Sequence, residues 1–225
     1  MGAVRPALID FQVIPATEDD CLTLAQVEAI AFDNSKKEPP GSNTFQIMFG
    51  SYSDVGNEFR RGNFLEKMQT DPTARFWKAV TKDDNGLEKI IGWARWHYFT
   101  EPKTIEPLKK DIPWPATANR DACNDFIGAI ELAKKKHMDG KRFRFLQVIA
   151  TLPEYSGKGV GSALLRQGLS TGRELGLNDY WIDASADGHD LYAKFGFVDT
   201  EPILMDAEKY GGVGTICIMG MRKTE

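Results

Sequence analysis

Three glycines at alternate positions, Gly157, Gly159 and Gly161, separate an apolar run at 143–151 (FRFLQVIAT) from a stretch of helical periodicity at 160–176. Glycine reaches left-handed backbone conformations and lets a ligand approach the main chain. A strand that turns directly into a helix leaves the N–H groups of the first helical turn facing outward, at the positive end of the dipole. That arrangement holds phosphate or diphosphate groups. The segment Pro153-Glu154-Tyr155-Ser156-Gly157-Lys158-Gly159-Val160-Gly161-Ser162 therefore reads as an anion cradle, with a tight turn that holds nothing as the plainer alternative. Two other phosphate motifs do not fit. A P-loop requires Ser or Thr after its Gly-Lys, whereas Gly159 follows Lys158, and a dinucleotide fingerprint is spaced GxGxxG rather than GxGxG.

The rest of the chain alternates between strand and helix signals. Residues 11–16 read as a strand, and Thr17 is placed to cap a helix running to Asp33, with Glu18, Asp19 and Asp20 in its first turn. A polar Pro/Gly loop at 34–43 precedes two short helices near 43–50 and 56–70. Residues 75–81 and 88–99 flank Asn85-Gly86, the signature of a hairpin. Residues 100–118 carry four prolines and no periodicity, and read as an insertion placed to cover a substrate site. A helix at 119–138 is stopped by Gly140; after the glycine turn come a strand at 179–185, a short helix at 188–195, and an antiparallel pair at 197–204 and 214–221. The pattern predicts one domain over 1–225, a mixed α/β sheet flanked by helices.

Composition removes several classes. A net charge of −4 argues against a nucleic-acid partner. No apolar run suits a membrane span or a signal-peptide core, and Pro6 stands where a myristoylation site needs Ser or Thr. Three widely spaced cysteines, Cys21, Cys123 and Cys217, suit neither a disulfide framework nor a thiolate metal site, so the expectation is a cytoplasmic protein without metal. The basic cluster Lys134-Lys135-Lys136 reads as a solvated helix end, or alternatively as a rim of positive charge near an anionic cofactor.

The string VIATLPEYSGKGVGSALL, then Trp181-Ile182-Asp183-Ala184-Ser185 and Leu191-Tyr192-Ala193-Lys194-Phe195-Gly196-Phe197, resembles the GNAT superfamily of acyl-CoA-dependent N-acetyltransferases. The match covers about 143–204 and follows the family's Q/R-x-x-G-x-G/A and L-Y-x-x-x-G-F patterns. The resemblance implies a mostly antiparallel twisted sheet whose two central strands splay apart, with acetyl-CoA as cosubstrate. It implies that Ile149, Ala150 and Thr151 lie beside the pantetheine arm, that the amides of Gly157, Lys158, Gly159, Val160, Gly161 and Ser162 hold the diphosphate, and that Tyr192 sits near the sulfur. Ser156 replaces the usual Gln or Arg, and Ser185 replaces an Asn that contacts the cofactor in many members. A phenol with an ordinary pKa near 10 suits protonation of a leaving thiolate, which makes Tyr192 the candidate general acid. The base is not legible: Gln147 is the only uncharged polar side chain well inside the fourth strand, and His97, Asp183 and His189 are the titratable candidates elsewhere.

The function implied is transfer of an acetyl group to a primary amine of a small molecule or peptide. A catalytically silent acyl-CoA-binding sensor or partner module is the alternative. A homodimer is left open, and the acceptor is expected against 34–70 and 100–118.

Overall fold

Local signals set most of the element boundaries. Asp20 reaches back to the amide of Thr17 at 2.7 Å and opens a short 3-10 turn that runs into the first helix. Asn43, Ser53 and Asn119 each accept a hydrogen bond from an amide of the helix they precede, the usual remedy for unpaired first-turn donors. Asp83 Oδ1 takes the amides of Asn85 and Leu87, and Gly86 supplies φ +78°, closing the hairpin that Asn-Gly predicts.

The computed structural model describes residues 9–33, 43–109 and 112–225. Its elements are β1 (Gln12–Pro15), α1 (Cys21–Asp33), α2 (Thr44–Phe49), α3 (Asp54–Thr70), β2 (Ala74–Lys82), β3 (Glu88–Lys103) and α4 (Arg120–Met138). These are followed by β4 (Lys141–Thr151), α5 (Val160–Glu174), β5 (Asp179–Ala184), α6 (Ala186–Lys194), β6 (Val198–Asp206) and β7 (Thr215–Thr224). The N-terminal Gly2/Pro6 reading and the loop at 34–42 lie outside the described residues.

The strands form one open sheet in the order β1-β2-β3-β4-β5-β7-β6. Every neighbouring pair is antiparallel except β4 and β5 at the centre. That parallel ladder joins Arg144, Phe145 and Leu146 to Tyr180, Trp181 and Ile182 and then stops, although β4 runs on to Thr151. The register of β4 on β3 also breaks at this point: Leu146 pairs with Trp96 and Val148 with Arg95, so Gln147 is an extra, bulged residue. A bulge bends its strand and re-aims its side chains. The central strands therefore splay from Gln147 onward, as the mixed, mostly antiparallel fold requires.

Helices α5 and α6 cover one face through Leu164, Leu165, Leu169 and Tyr192, against Trp96, Leu146, Tyr180 and Ile182. Helices α1, α3 and α4 cover the other, where Leu24 and Phe64 meet Trp93, and Phe126 and Met138 meet Phe143 and Trp181. Close approach of α5 depends on two glycines. A Cβ on Gly168 would lie 2.1 Å from the Trp96 ring, and one on Gly172 would lie 2.0 Å from Arg144 Cδ.

Three sequence expectations need correction. Residues 100–103 are not loop but the end of β3, because Lys103 pairs with Lys141 after a second irregularity. The rest of the described insertion is fastened: Ile105 is buried with its amide on Asp139, and Trp114 packs on Phe49 and Phe59 while donating to Asn124. The basic cluster is not a uniformly solvated helix end. Lys136 is exposed, but Lys134 is buried, with its ammonium 4.0 Å from the Phe145 ring centroid and 2.7 Å from Glu131. A desolvated cation over an aromatic face gains about 2 kcal/mol, enough with the ion pair to hold it inside.

Candidate functional site

The glycine turn is built from two different uses of glycine. Gly157 and Gly159 have φ of +75° and +90°, and a Cβ on either would meet nothing within 4 Å. They are glycines because any other residue would pay about 1–2 kcal/mol in that left-handed region, and their empty side faces open space. Gly161 has ordinary helical geometry, but its Cβ would sit 3.3 Å from Leu191 of α6. It brings the turn against the helix that carries Tyr192.

Among the described residues, the amides of Gly157, Gly159, Val160, Gly161 and Ser162 have no protein acceptor, and no side chain caps α5. The Lys158 amide is the exception, since it donates to the Tyr155 carbonyl at 3.3 Å. The ammonium groups of Lys158 and Lys89 lie 5.3 and 5.2 Å from the centre of the Tyr155 ring, and that of Lys89 is also paired with Glu154 at 3.3 Å.

Behind the turn, Ile149, Ala150 and Thr151 pair with Ala94, Trp93 and Gly92 of β3 but with nothing on the β5 side. Gly92 is required here: a Cβ would lie 2.8 Å from both the Ala150 carbonyl and Val160 Cγ1. The open edge of β4 and the first turn of α5 are thus pressed together, with unpaired backbone groups on both.

Across the gap, Ser185 caps α6 by accepting the Gly188 amide at 3.3 Å. Tyr192 is 5% exposed and rests over Gly188, whose Cβ would be 3.0 Å from the phenol oxygen. Burial, and after it the Asp183 carboxylate, pushes the Tyr192 hydroxyl above its ordinary range. It is held as a proton donor.

The other face of the gap collects polar groups. His97 on β3 lies beneath Thr73, 3.1 Å from Nδ1, and beside Gln147, 2.7 Å from Nε2. Burial, with Arg95 nearby, pushes His97 down to about 4. Asp183 follows the last β5 residue paired with β4, and its Oδ1 accepts from Trp181 Nε1 at 2.7 Å. Burial pushes it up to about 6, against the pull of Lys134 and the Trp181 bond. His189 instead pairs with Asp199 on the surface at 2.7 Å.

Arg60 is one of the charged residues in the 34–70 segment, and sequence reasoning missed that it is buried in a group with Arg95 and Glu28. Arg60 and Arg95 are 7% and 6% exposed, lie over Phe45 and over Phe64 and Phe76, and each has an unbonded Nε. Burial raises the nearby Glu28 carboxyl, and the two guanidinium groups oppose that rise. The Arg60 signal was present as the first of two adjacent arginines, one helical turn after Asn57, its hydrogen-bond partner at 2.9 Å, but nothing in the chain marks it rather than Arg61 as buried.

Among the described residues no helix is long and apolar enough to cross a membrane. The model of the acetyltransferase (GNAT) family matches residues 46–197. No curated protein matches in sequence. Among solved structures, a mosquito arylalkylamine N-acetyltransferase like 5b is similar at 17% identity and a TM-score of 0.62, covering 96% of this chain and 100% of that one. A histone acetyltransferase HPA2 and related acetyltransferase from Corynebacterium glutamicum is similar at 22% identity and a TM-score of 0.58, covering 96% and 97%. The PaiA N-acetyltransferase from Thermoplasma acidophilum, in complex with coenzyme A, is similar at 14% identity and a TM-score of 0.52, covering 96% and 100%. These likenesses establish the fold.

Proposed function

The chain belongs to the acetyltransferase (GNAT) family, and on that premise we propose that it is an N-acetyltransferase that moves the acetyl group of acetyl-CoA to a primary amine of a small molecule or peptide. The observation that carries this reading is the cradle itself. Five amides without acceptors among the described residues open beside two left-handed glycines, next to the half of β4 that lacks a β5 neighbour. A diphosphate fits the empty side of Gly157 and Gly159, and Lys158 offsets part of its charge.

When bound, acetyl-CoA supplies the thioester that is the acetyl donor. The amides of Gly157 and of Gly159 to Ser162 hold the diphosphate, while Lys158 contributes its ammonium rather than its amide. The edge at Ile149, Ala150 and Thr151, open on the β5 side, would lie along the pantetheine arm, and a backbone N–H there would stabilise charge developing on the carbonyl oxygen. Tyr192, kept protonated by burial, gives its proton to the departing sulfur. Ser185, whose oxygen caps α6, would have its hydroxyl proton left over for the cosubstrate.

Calorimetric titration tests the cradle. Gly159→Asp puts a carboxylate where the diphosphate belongs, and like-charge contact of that kind costs several kcal/mol, more than about a hundredfold in affinity. Wild-type affinity for acetyl-CoA in this variant would remove the proposal.

A further inference from the structure

Hydrogen-bond accounting around His97 determines which atom Gln147 presents to the gap. Asp71 Oδ1 accepts both the Thr73 amide, at 2.9 Å, and the Thr73 hydroxyl, at 2.7 Å. Burial opposes ionisation of Asp71, yet these two bonds hold its carboxyl below the usual range, so it is a carboxylate. The single hydroxyl proton of Thr73 is therefore engaged with Asp71, and Thr73 Oγ1 can only accept from His97 Nδ1. Asp71 Oδ2, 3.5 Å from the same nitrogen, favours a proton there as well. A neutral imidazole carries one proton, so with Nδ1 protonated Nε2 is a bare acceptor. The atom placed 2.7 Å from it is Gln147 Oε1, which cannot donate, so the carboxamide must be turned by a half-turn that exchanges its oxygen and nitrogen. Only the amide nitrogen can donate to Nε2. The Gln147 oxygen is then turned away from His97.

Gln147 is exposed although it lies in the central strand, because the bulge lifts it where β4 leaves β5. Leu146 and Ile182 are the last paired residues, so Gln147 and Asp183 are the first residues to face each other across the widening gap. Both lie on the α4 side, Gln147 by its bond to His97 and Asp183 by its bond to Trp181. The charged neighbours are Lys134 and Glu131 from α4, paired at 2.7 Å with the lysine acting more strongly on Asp183, and Arg95 and Asp71 beyond His97. Two oxygen acceptors, one of them a carboxylate, thus meet at the mouth of the gap. The Asp183 carboxyl group accepts one hydrogen bond among the described residues, leaving acceptor capacity over.

We propose that Gln147 and Asp183 form the subsite for the protonated primary amine, each accepting one ammonium N–H, and that His97 is the positioning residue that turns the Gln147 oxygen toward it. The inference rests on the function proposed above and specifies how its acceptor is read. A cation with several N–H donors suits two acceptors from different strands, and an anionic or donor-free acceptor does not.

Nitrogen-15 NMR on the free, full-length protein tests this without turnover. Neutral His97 should show a protonated Nδ1 and a bare Nε2. Titration with n-butylammonium chloride should shift the Gln147 side-chain NH2 signals saturably. Asp183→Asn should weaken that response at least about tenfold, and His97→Leu should weaken it while acetyl-CoA affinity by calorimetry stays unchanged. A His97 protonated on Nε2, or no saturable Gln147 response, would overturn the subsite, and the tautomer can be read on the wild type even where a variant fails to fold. Loss of acetyl-CoA binding by the wild type would instead overturn the proposed function, since the amine titration is read without it.

Discussion

From 144 to 146, β4 has neighbours on both edges; from 147 to 151 it has β3 alone. In the paired part Arg144, Phe145 and Leu146 are all buried, and Arg144 is covered completely, its guanidinium 3.8 Å from the Tyr180 ring centroid. In the open part Gln147 is exposed, while Val148, Ile149 and Thr151 are half-buried. One strand thus serves two purposes, and the change from one to the other takes a single bulged residue. The paired part fixes where the open part begins, so damage to each should be separable.

Three variants probe that separation. The largest effect is expected on the open side. Tyr192→Phe keeps the ring over Gly188 and removes the donor, so fold and acetyl-CoA affinity should persist while the acetylation rate falls about 100- to 10,000-fold. A rate within about threefold of wild type, with the chemical step limiting, would show that the phenol is only packing.

On the paired side, Gly172→Ala places a methyl 2.0 Å from the buried Arg144 side chain. Helix propensity alone would gain about 1 kcal/mol. Overpacking of a fixed neighbour typically costs about 1–3 kcal/mol and should win, because a fully buried arginine has nowhere to go. Urea denaturation should show the loss with acetyl-CoA affinity unchanged for the folded fraction. Equal loss of affinity would mean that the two parts are not independent.

The smallest effect is a pH dependence that crosses the boundary. His97, held near 4, is neutral in the fold and protonated in the unfolded chain below about 6.5, so its contribution to stability is lost as pH falls from about 6.5 to 4. Asp183, raised to about 6, behaves oppositely: its contribution is present below its ordinary value of 3.8 and is lost as pH rises through 6. The two trends oppose each other over the same window. Asp183→Asn should leave the His97 trend uncovered, making the protein on the order of 1 kcal/mol more acid-sensitive than wild type between pH 6.5 and 4. Thermal melts across that range measure it, and parallel curves for the two proteins would contradict the assignment.

The glycine turn and the Asn85-Gly86 hairpin were legible in the sequence, and the caps Asn43 and Asn119 stood at its expected boundaries, because each acts through its own few neighbours. The bulge was not, because it exists only in the register of β4 on β3. One signal was available. The residues of FRFLQVIAT that face α1, α3 and α4 are Phe143, Phe145 and Gln147 and then Val148 and Ala150, a change of parity inside one strand. Lys134 was misread because a helix C-terminus welcomes lysine for local reasons, while the ring of Phe145 that draws it inward comes from the next strand. Arg144 hides equally well: the Gly172 gap gives it room, and its partners, the Leu169 carbonyl 2.9 Å from its Nη1, the Tyr180 ring and Glu225, are all distant in the chain.

The strand order carries a consequence for synthesis. β7 lies between β5 and β6 although it follows both in the chain. As the polypeptide leaves the ribosome, β1 to β4 can pair in turn, each with the strand just made, and domains do assemble from the N-terminus in this way. β5 and α6, which carry Asp183 and Tyr192, lack their outer neighbour until Thr215 to Thr224 have emerged and slid between strands already present. The wall of the gap opposite β4 is therefore completed last, and a nascent chain that already holds its glycine turn is not yet able to work.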